Sequence, residues 1–333
     1  MTLPDTMNAV IARKPGGPEV LQWVERPLPV PQAGEVLIRV AAAGVNRPDL
    51  MQRAGMPLPP GTSDILGLEA SGTVVSVGPG VEHFAPGDRV MALLGGGGYA
   101  EYCVAFAGHC LPVPAGLSLV SAAGVPEAAF TVWHNLFELG RLGRADSVLI
   151  HGAASGVGSF AVQCAQATGA RVIATAGGAQ KVAMLEALGI LRAIDRYHED
   201  FVEVVEQCTD GRGVDVVLDN VGGPYVARNL AAMAMGGRHV SLSFLQGAKI
   251  ELDLQTVMRK SLCLTSSTLR PKSREEKTRL AGCLREHVLP WLASGQVQPL
   301  IHAQLPLQQA AEAHRTLEAN ANIGKVLLTV SSF

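Results

Sequence analysis

Residues 147–158 read Ser-Val-Leu-Ile-His-Gly-Ala-Ala-Ser-Gly-Val-Gly, and the rest of the chain is organised around them. Val148, Leu149 and Ile150 form a short apolar run suited to a strand buried on both faces. Beyond the glycines, Phe160, Ala161, Cys164 and Ala165 recur at helical spacing, so the period changes at the turn. A strand, a tight small-residue turn and a helix N-terminus point backbone N–H groups at one anionic group, as dinucleotide-binding units do with a pyrophosphate. The GxGxxG pattern is imperfect, because Ala153 and Ser155 stand where two of its glycines would and only Gly158 falls on it. Ser155, Gly156, Val157 and Gly158 are the predicted phosphate turn, with Gly156 an added flexible point and the Ser155 hydroxyl a further donor. An ordinary strand-to-helix connection is the plain alternative. A nucleophile elbow would need glycines at 153 and 157, where the chain has Ala153 and Val157, and is set aside.

The residues after the turn support the dinucleotide reading. A second strand, Arg171–Ala176, comes after one helix and ends in Gly177-Gly178 before another helix. No acidic residue occurs between positions 159 and 185, so the carboxylate that would hold an unmodified ribose is missing there, while Lys181 lies close by. That combination favours the 2′-phosphate of NADPH over NADH; a solvated helix lysine is the alternative for Lys181. Strands at 193–194, Val214–Asp219 and 239–243 continue the alternation of a doubly wound parallel sheet. The loop Asn220-Val221-Gly222-Gly223 and the residues Ser243-Phe244-Leu245 come after strand ends, where such sheets bind ligands. Turn glycines and a core phenylalanine are the plainer readings of those two segments.

The first third reads as strands at 35–40, Glu69–Val77 and 88–93, with a Pro15-Gly16-Gly17-Pro18 turn and a four-glycine loop at 95–98, which predicts a compact β-rich domain. A helix is expected over 121–139, with Pro126 near its start and Glu127 and Thr131 along it. A strand at 262–269, helices at 274–293 and 307–319 and a closing strand at 325–330 complete the reading.

At 333 residues the chain has room for two domains. It is 48% hydrophobic, but glycine, proline and charge interrupt every apolar stretch short of a membrane span. The start lacks the basic and apolar regions of a signal peptide. Formal net charge is -2 with basic residues scattered, which argues against a nucleic-acid partner. The six cysteines lie far apart, as in a reducing compartment, and the expected location is cytoplasmic.

Asn46-Arg47-Pro48-Asp49-Leu50, Gly67-Leu68-Glu69-Ala70-Ser71-Gly72, Val77-Gly78-Pro79-Gly80-Val81, Pro86-Gly87-Asp88-Arg89-Val90 and the Ser155 turn resemble the quinone oxidoreductase branch of the medium-chain dehydrogenases/reductases. Asp49-Leu50-Met51-Gln52-Arg53 and Ala319-Asn320-Ala321-Asn322-Ile323-Gly324-Lys325 look most like its tumour-suppressor-induced NADPH quinone reductase group. The resemblance implies an α/β fold: a β-rich GroES-like catalytic domain begun by residues 1–124 and returned to by 268–333, and a Rossmann domain over 125–267. It further implies an NADPH-dependent reduction of a quinone-like acceptor between the domains, with Asn46, Thr131 and Phe244 near the nicotinamide and Asn46 orienting cofactor or substrate.

Zinc-dependent relatives carry cysteine where this chain has Asn46 and histidine where it has Leu68, so no metal is expected. A phosphate-holding tyrosine of relatives aligns with Arg196, beside Tyr197, and arginine could grip the phosphate in its place. A second tyrosine is missing from the shortened loop Met56-Pro57-Leu58-Pro59-Pro60. The resemblance also supports a homodimer, joined through the uncharged edge strand at 262–269. Reduction of an activated carbon–carbon double bond is the alternative reaction, and a cofactor-binding structural or RNA-binding protein the alternative of another class.

Overall fold

The computed structural model describes residues 3–58 and 62–330; Pro59 and Pro60 of the shortened loop lie outside the described residues. Its strands are β1 (Thr6–Ala12), β2 (Leu21–Pro27), β3 (Glu35–Gly44), β4 (Glu69–Val77), β5 (Arg89–Leu93), β6 (Tyr102–Phe106), β7 (Cys110–Pro112), β8 (Ser147–Ile150), β9 (Arg171–Ala176), β10 (Arg192–Asp195), β11 (Val214–Asp219), β12 (Met233–Ser241), β13 (Cys263–Ser266), β14 (Ile301–Pro306) and β15 (Lys325–Thr329). The α-helices are α1 (Arg47–Arg53), α2 (Leu119–Ala122), α3 (Pro126–Val132), α4 (Gly156–Thr168), α5 (Ala179–Ala187), α6 (Phe201–Cys208), α7 (Tyr225–Ala232), α8 (Leu254–Lys260), α9 (Arg274–Cys283), α10 (Leu289–Ala293) and α11 (Ala310–Glu318). Contacts divide the chain into one unit of Met1–Ala128, Arg270–Ala293 and Pro299–Phe333, and a second of Ala129–Leu269 and Ser294–Gln298.

The first unit is built on a seven-stranded sheet in the order β14-β15-β3-β4-β5-β7, with β6 also paired to β3, beside the β1-β2 hairpin. Its pairs are antiparallel except β14 with β15. Val36, Ile38, Val40, Val74, Val90, Val326 and Leu328 pack its core.

The second unit is a six-stranded parallel sheet in the order β10-β9-β8-β11-β12-β13. Val148, Leu149 and Ile150 are fully buried, as the uninterrupted apolar run requires of a central parallel strand. The chain winds outward from β8 through β9 to β10, then returns to β11 on the other side of β8. The order therefore reverses between β8 and β11, which makes the crevice beyond their carboxyl ends the natural ligand position.

Several boundaries differ from expectation for local reasons. The helix expected over 121–139 is interrupted between α2 and α3, because Pro126 has no N–H to give and disfavours helical geometry at Val125. It then widens, the Gly140 N–H reaching back five residues to Asn135 at 2.8 Å. The helix over 274–293 also widens between α9 and α10, where the Leu289 N–H bonds to Leu284 just ahead of Pro290. Strand β12 begins six residues before position 239 and ends at Ser241, while β13 covers four residues of the expected eight. Strand β14, between the last two long helices, is an addition to the expected elements. Among the described residues no helix is long and apolar enough to cross a membrane.

Candidate active site

At the β8–α4 turn, the Ser155 oxygen accepts the Gly158 N–H at 3.0 Å and so caps the helix. The N–H groups of Gly156 and Val157 have no acceptor within the helix and remain available to an anion. Gly158 is required by packing: a Cβ there would lie 2.5 Å from the Gly152 carbonyl oxygen and 2.7 Å from the Ala153 Cα. The other indispensable glycine is Gly152, which the motif does not mark. Its φ is +59°, and a Cβ would meet the Asn220 side chain at 2.5 Å. Ala153 and Ser155 are tolerated because the close approaches fall on Gly152 and Gly158.

Asn220 brings the β11 loop to this turn across the strand reversal. Its Oδ1 is buried and, among the described residues, has no hydrogen-bond partner. The loop is held firmly. Asp219 Oδ1 accepts from Val221 and Gly222 N–H at 2.7 and 3.2 Å, and the Ser243 hydroxyl donates to the Asn220 carbonyl at 2.6 Å. Gly222 has φ +68° and packs against Phe244. Phe244 itself is 47% exposed and Leu245 59%, so neither is a core side chain.

Beneath these loops, buried polar groups cross the sheet from Thr175 through His151 and Asn229 to Asp219 and His239. Asn229 donates its amide to Asp219, so its oxygen takes the His151 Nε2–H at 2.8 Å, and His151 Nδ1 accepts from Thr175 at 3.0 Å. Burial lowers the His151 pKa to about 4, keeping that ring neutral.

At the tip of β9, Gly177 and Gly178 lie against the end of β10. An acid does stand here, although it is absent from the 159–185 window. Asp195 accepts from the Gly178 and Tyr197 N–H groups, both at 3.1 Å, and contacts His198 Nδ1 at 3.0 Å. The Gly178 N–H, foremost, holds its pKa below the ordinary carboxylate value. Arg196 donates to the Tyr197 hydroxyl at 2.8 Å and lies 4.7 Å over that ring. Both side chains lean over Gly177, where a Cβ would meet Tyr197 at 2.8 Å and Arg196 Nε at 2.9 Å. Lys181 stands in the first turn of α5, its own N–H bonded to the Gly178 carbonyl at 3.1 Å.

In the first unit, Asn46 is buried and its amide is committed at both ends. Nδ2 donates to Glu69 Oε1 at 2.8 Å, and Oδ1 accepts from the Lys325 ammonium at 2.7 Å. Lys325 also pairs with Glu69, so a cation fills this position from β15. The Asn46 N–H and the Tyr99 hydroxyl both donate to Asp49, at 2.8 and 3.2 Å, and burial pushes the Asp49 carboxyl up to about 7. Tyr99 meets His314 Nε2 at 3.3 Å, and Arg53 joins His314 Nδ1, at 3.2 Å, to Glu318. Thr131, on α3, is half-buried; its carbonyl accepts from the Asn135 amide at 2.9 Å.

Comparison with known proteins places this architecture. Family models match for "Alcohol dehydrogenase GroES-like domain" over residues 32–115 and "Zinc-binding dehydrogenase" over residues 156–283. Quinone oxidoreductase 1 of Escherichia coli (strain K12) is 35% identical over 95% of this chain and 97% of its own. The 2-haloacrylate reductase of Burkholderia sp is 32% identical over 97% of this chain and 98% of its own. A phenolphthiocerol/phthiocerol polyketide synthase of Mycobacterium tuberculosis is 33% identical over 90% of this chain, which spans only 14% of that protein. Among solved structures, Escherichia coli quinone oxidoreductase complexed with NADPH matches at TM-score 0.85 and 34% identity, covering 97% of this chain and 99% of the other. An NAD-dependent alcohol dehydrogenase matches at TM-score 0.86 and 34% identity, covering 98% and 100%. The chain belongs to the medium-chain dehydrogenase/reductase superfamily, an oxidoreductase with quinone oxidoreductases among its relatives.

The residues fit a dinucleotide: the first-turn N–H groups of α4 have no acceptor within the helix, Gly158 lets α4 start hard against the Gly152-Ala153 turn, and the buried Asn220 oxygen beside Gly152 lacks a partner among the described residues. They do not fit the metal that one family description names. An amide at 46 and an alkyl chain at 68 are poor zinc ligands, and Lys325 already supplies a positive charge to Glu69.

Proposed function

We propose that the chain is a zinc-independent, NADPH-dependent oxidoreductase that reduces quinones. The observation that carries the reading is the crevice between the ends of β8 and β11, with its phosphate turn and its unsatisfied Asn220 oxygen, in a chain related over nearly its whole length to quinone oxidoreductases. The N–H groups of Gly156 and Val157 with Ser155 would hold the pyrophosphate, and Gly158 lets α4 pack close against the turn that presents them. Gly177 and Gly178 give the adenosine ribose room, while Lys181 and Arg196 supply positive charge for a 2′-phosphate. Both Asp195 oxygens are engaged by the chain's own donors, so that carboxylate is poorly placed to grip ribose hydroxyls. Asn220, Gly222, Ser243, Phe244 and Leu245 border the crevice beyond β11 and β12, and Thr131 would border the nicotinamide.

When bound, the dinucleotide supplies the hydride; the chain contributes position, polarity and exclusion of water. Asn46 acts through the structure here, since both ends of its amide are held by Glu69 and Lys325. NADPH oxidation against a panel of quinones tests the proposal, and no turnover with any of them would refute it. The 2-haloacrylate reductase relative favours a second reading, reduction of an activated double bond, which relative rates on enones and quinones would separate. We further propose a homodimer joined through β13. That strand lies at the sheet edge and carries no charge, and a monomeric mass at micromolar concentration would count against it.

A further inference from the structure

A cavity of about 680 Å³ opens in the first unit at the edge of its sheet, where β5 pairs with the short terminal strand β7. That volume is in the range of small-molecule sites. Its wall includes His83, Phe84 and Asp88 from the loop between β4 and β5, Arg89 at the start of β5, Val113 just after β7, and Arg285 from the widened turn between α9 and α10. All of them belong to the first unit, whereas the dinucleotide crevice is built from residues of the second.

Both arginines are exposed, yet each is tied to the main chain. Arg285 Nη2 donates to the Cys110 carbonyl at 2.7 Å and Arg89 Nη2 to the Leu117 carbonyl at 2.9 Å, so one short segment holds both guanidinium groups. The Arg89 carbonyl in turn accepts the Val113 N–H at 3.0 Å. A guanidinium carries five N–H donors, and the remaining ones of each arginine meet no acceptor among the described residues. Arginines elsewhere in the chain often meet carboxylates, as Arg26 does Asp64, Arg212 does Asp215 and Arg315 does Glu312. Arg89 and Arg285 meet none among the described residues. The carboxylate in the wall, Asp88, is turned to its own loop, where Oδ2 accepts the Ala85 N–H at 2.8 Å.

The rest of the wall is apolar or open. Phe84 is half-buried and packs against the core of the unit, and Val113 is half-buried beside it in the lining. At Gly87, φ is +102° and an added Cβ would meet no atom within 4 Å. The cavity therefore combines two anchored positive charges that lack a counter-charge with a hydrophobic surface.

We propose that this cavity binds a small organic phosphate, its phosphate on the Arg89 and Arg285 forks with His83 alongside and its apolar body against Phe84 and Val113. A phosphate group has enough oxygens to accept from two guanidinium forks at once, whereas the two oxygens of a carboxylate fill one. The anion also relieves the repulsion between two like charges that line one hollow.

The test titrates phenyl phosphate, inorganic phosphate, benzoate and phenol calorimetrically into the wild type, Arg89→Gln, Arg285→Gln and the double variant. Lys181→Ala and Arg196→Ala are titrated beside them, because the dinucleotide crevice is itself suited to phosphate. Phenyl phosphate should bind one-to-one, more tightly than inorganic phosphate or benzoate, and phenol should not bind. Each glutamine variant should weaken phenyl phosphate about tenfold or more, with melting and NADPH titration unchanged. The Nε–H resonances of Arg89 and Arg285 should shift together during the titration. Arg89→Lys and Arg285→Lys keep the charge and lose the fork, and they carry the test, again with weakened binding, if the glutamine variants melt early. No saturable binding at millimolar probe, or unchanged affinity in the glutamine or lysine variants, would overturn the site. A loss confined to Lys181→Ala or Arg196→Ala would also overturn it, by placing the probe in the crevice, and equal affinity for inorganic and phenyl phosphate would overturn the ligand class. None of these outcomes depends on turnover, so the site stands or falls separately from quinone reduction.

Discussion

Replacing Arg196 by Ala probes the choice of dinucleotide most directly. The guanidinium is held flat by the Tyr197 ring 4.7 Å away and spends one N–H on the Tyr197 hydroxyl, leaving its other donors for a phosphate in a geometry already fixed. A charge-assisted hydrogen bond is worth ~1.5 to 3 kcal/mol, and a factor of ten in affinity is ~1.4 kcal/mol, so the substitution should raise the NADPH dissociation constant roughly ten- to a hundredfold. The upper part of that range is expected, because removing Arg196 also takes a neighbouring cation from the anionic Asp195, the adjoining residue, as the 2′-phosphate approaches. NADH lacks that phosphate and should bind Arg196→Ala nearly as it binds the wild type. Fluorescence titration of both dinucleotides against wild type, Arg196→Ala and Lys181→Ala, at low and high salt, measures the effect. A similar loss for NADH and NADPH, or no loss with either variant, would show that the phosphate lies elsewhere.

Other outcomes rest on single contacts. Lys325→Met strands Glu69 as a buried unpaired charge and should cost about 3 to 5 kcal/mol in denaturant unfolding, with part recovered by adding Glu69→Gln; no loss would mean that the pair is solvated. Gly158→Ala drives a methyl into the backbone at Gly152 and Ala153 and should cost about 1 to 3 kcal/mol while weakening NADPH binding, so unchanged melting and binding would count against the close approach. Burial lowers the pKa of His151 to about 4 and of His314 to about 3, from 6.5. Their neutral forms are favoured in the fold, so this stability is fully present above 6.5 and is lost as pH falls toward those values. Each should add up to about 1.4 kcal/mol of destabilisation per pH unit below that point, and His314→Gln should reduce the slope of unfolding free energy against pH; an unchanged slope would show that His314 is not buried neutral.

The second unit is the more legible from the chain alone. An uninterrupted apolar run of this kind suits a strand covered on both faces, and the helical spacing from Phe160 onward fixes the first crossover. Residues near each other in space but distant in sequence are not legible. Gly152 is a requirement of Asn220, in the loop that follows another strand, and nothing in the turn itself announces it. Asp195 is hidden because the acid at the tip of β9 comes from the end of β10, outside the window where a ribose-binding acid is normally sought. Asn46 reads as an available amide until Lys325 is found on its oxygen. In the long helices, the prolines at 126 and 290 are visible in the sequence, but how the chain accommodates them, by a break in one case and a wider turn in the other, is decided by packing.

The pairing of Lys325 with Glu69 bears on how the protein comes into being during synthesis. The two residues are 256 positions apart, and at roughly 5 to 20 residues per second the lysine leaves the peptidyl-transferase centre about 13 to 50 s after the glutamate. Throughout that interval the nascent β4 carries a carboxylate whose native place is dry and whose counter-charge does not yet exist. The parallel sheet, whose strands all lie in one continuous stretch from Ser147 to Ser266, has no such wait. The chain is thus set to consolidate its middle before its beginning, and the early β-segments must be kept soluble until the last strand arrives to neutralise them.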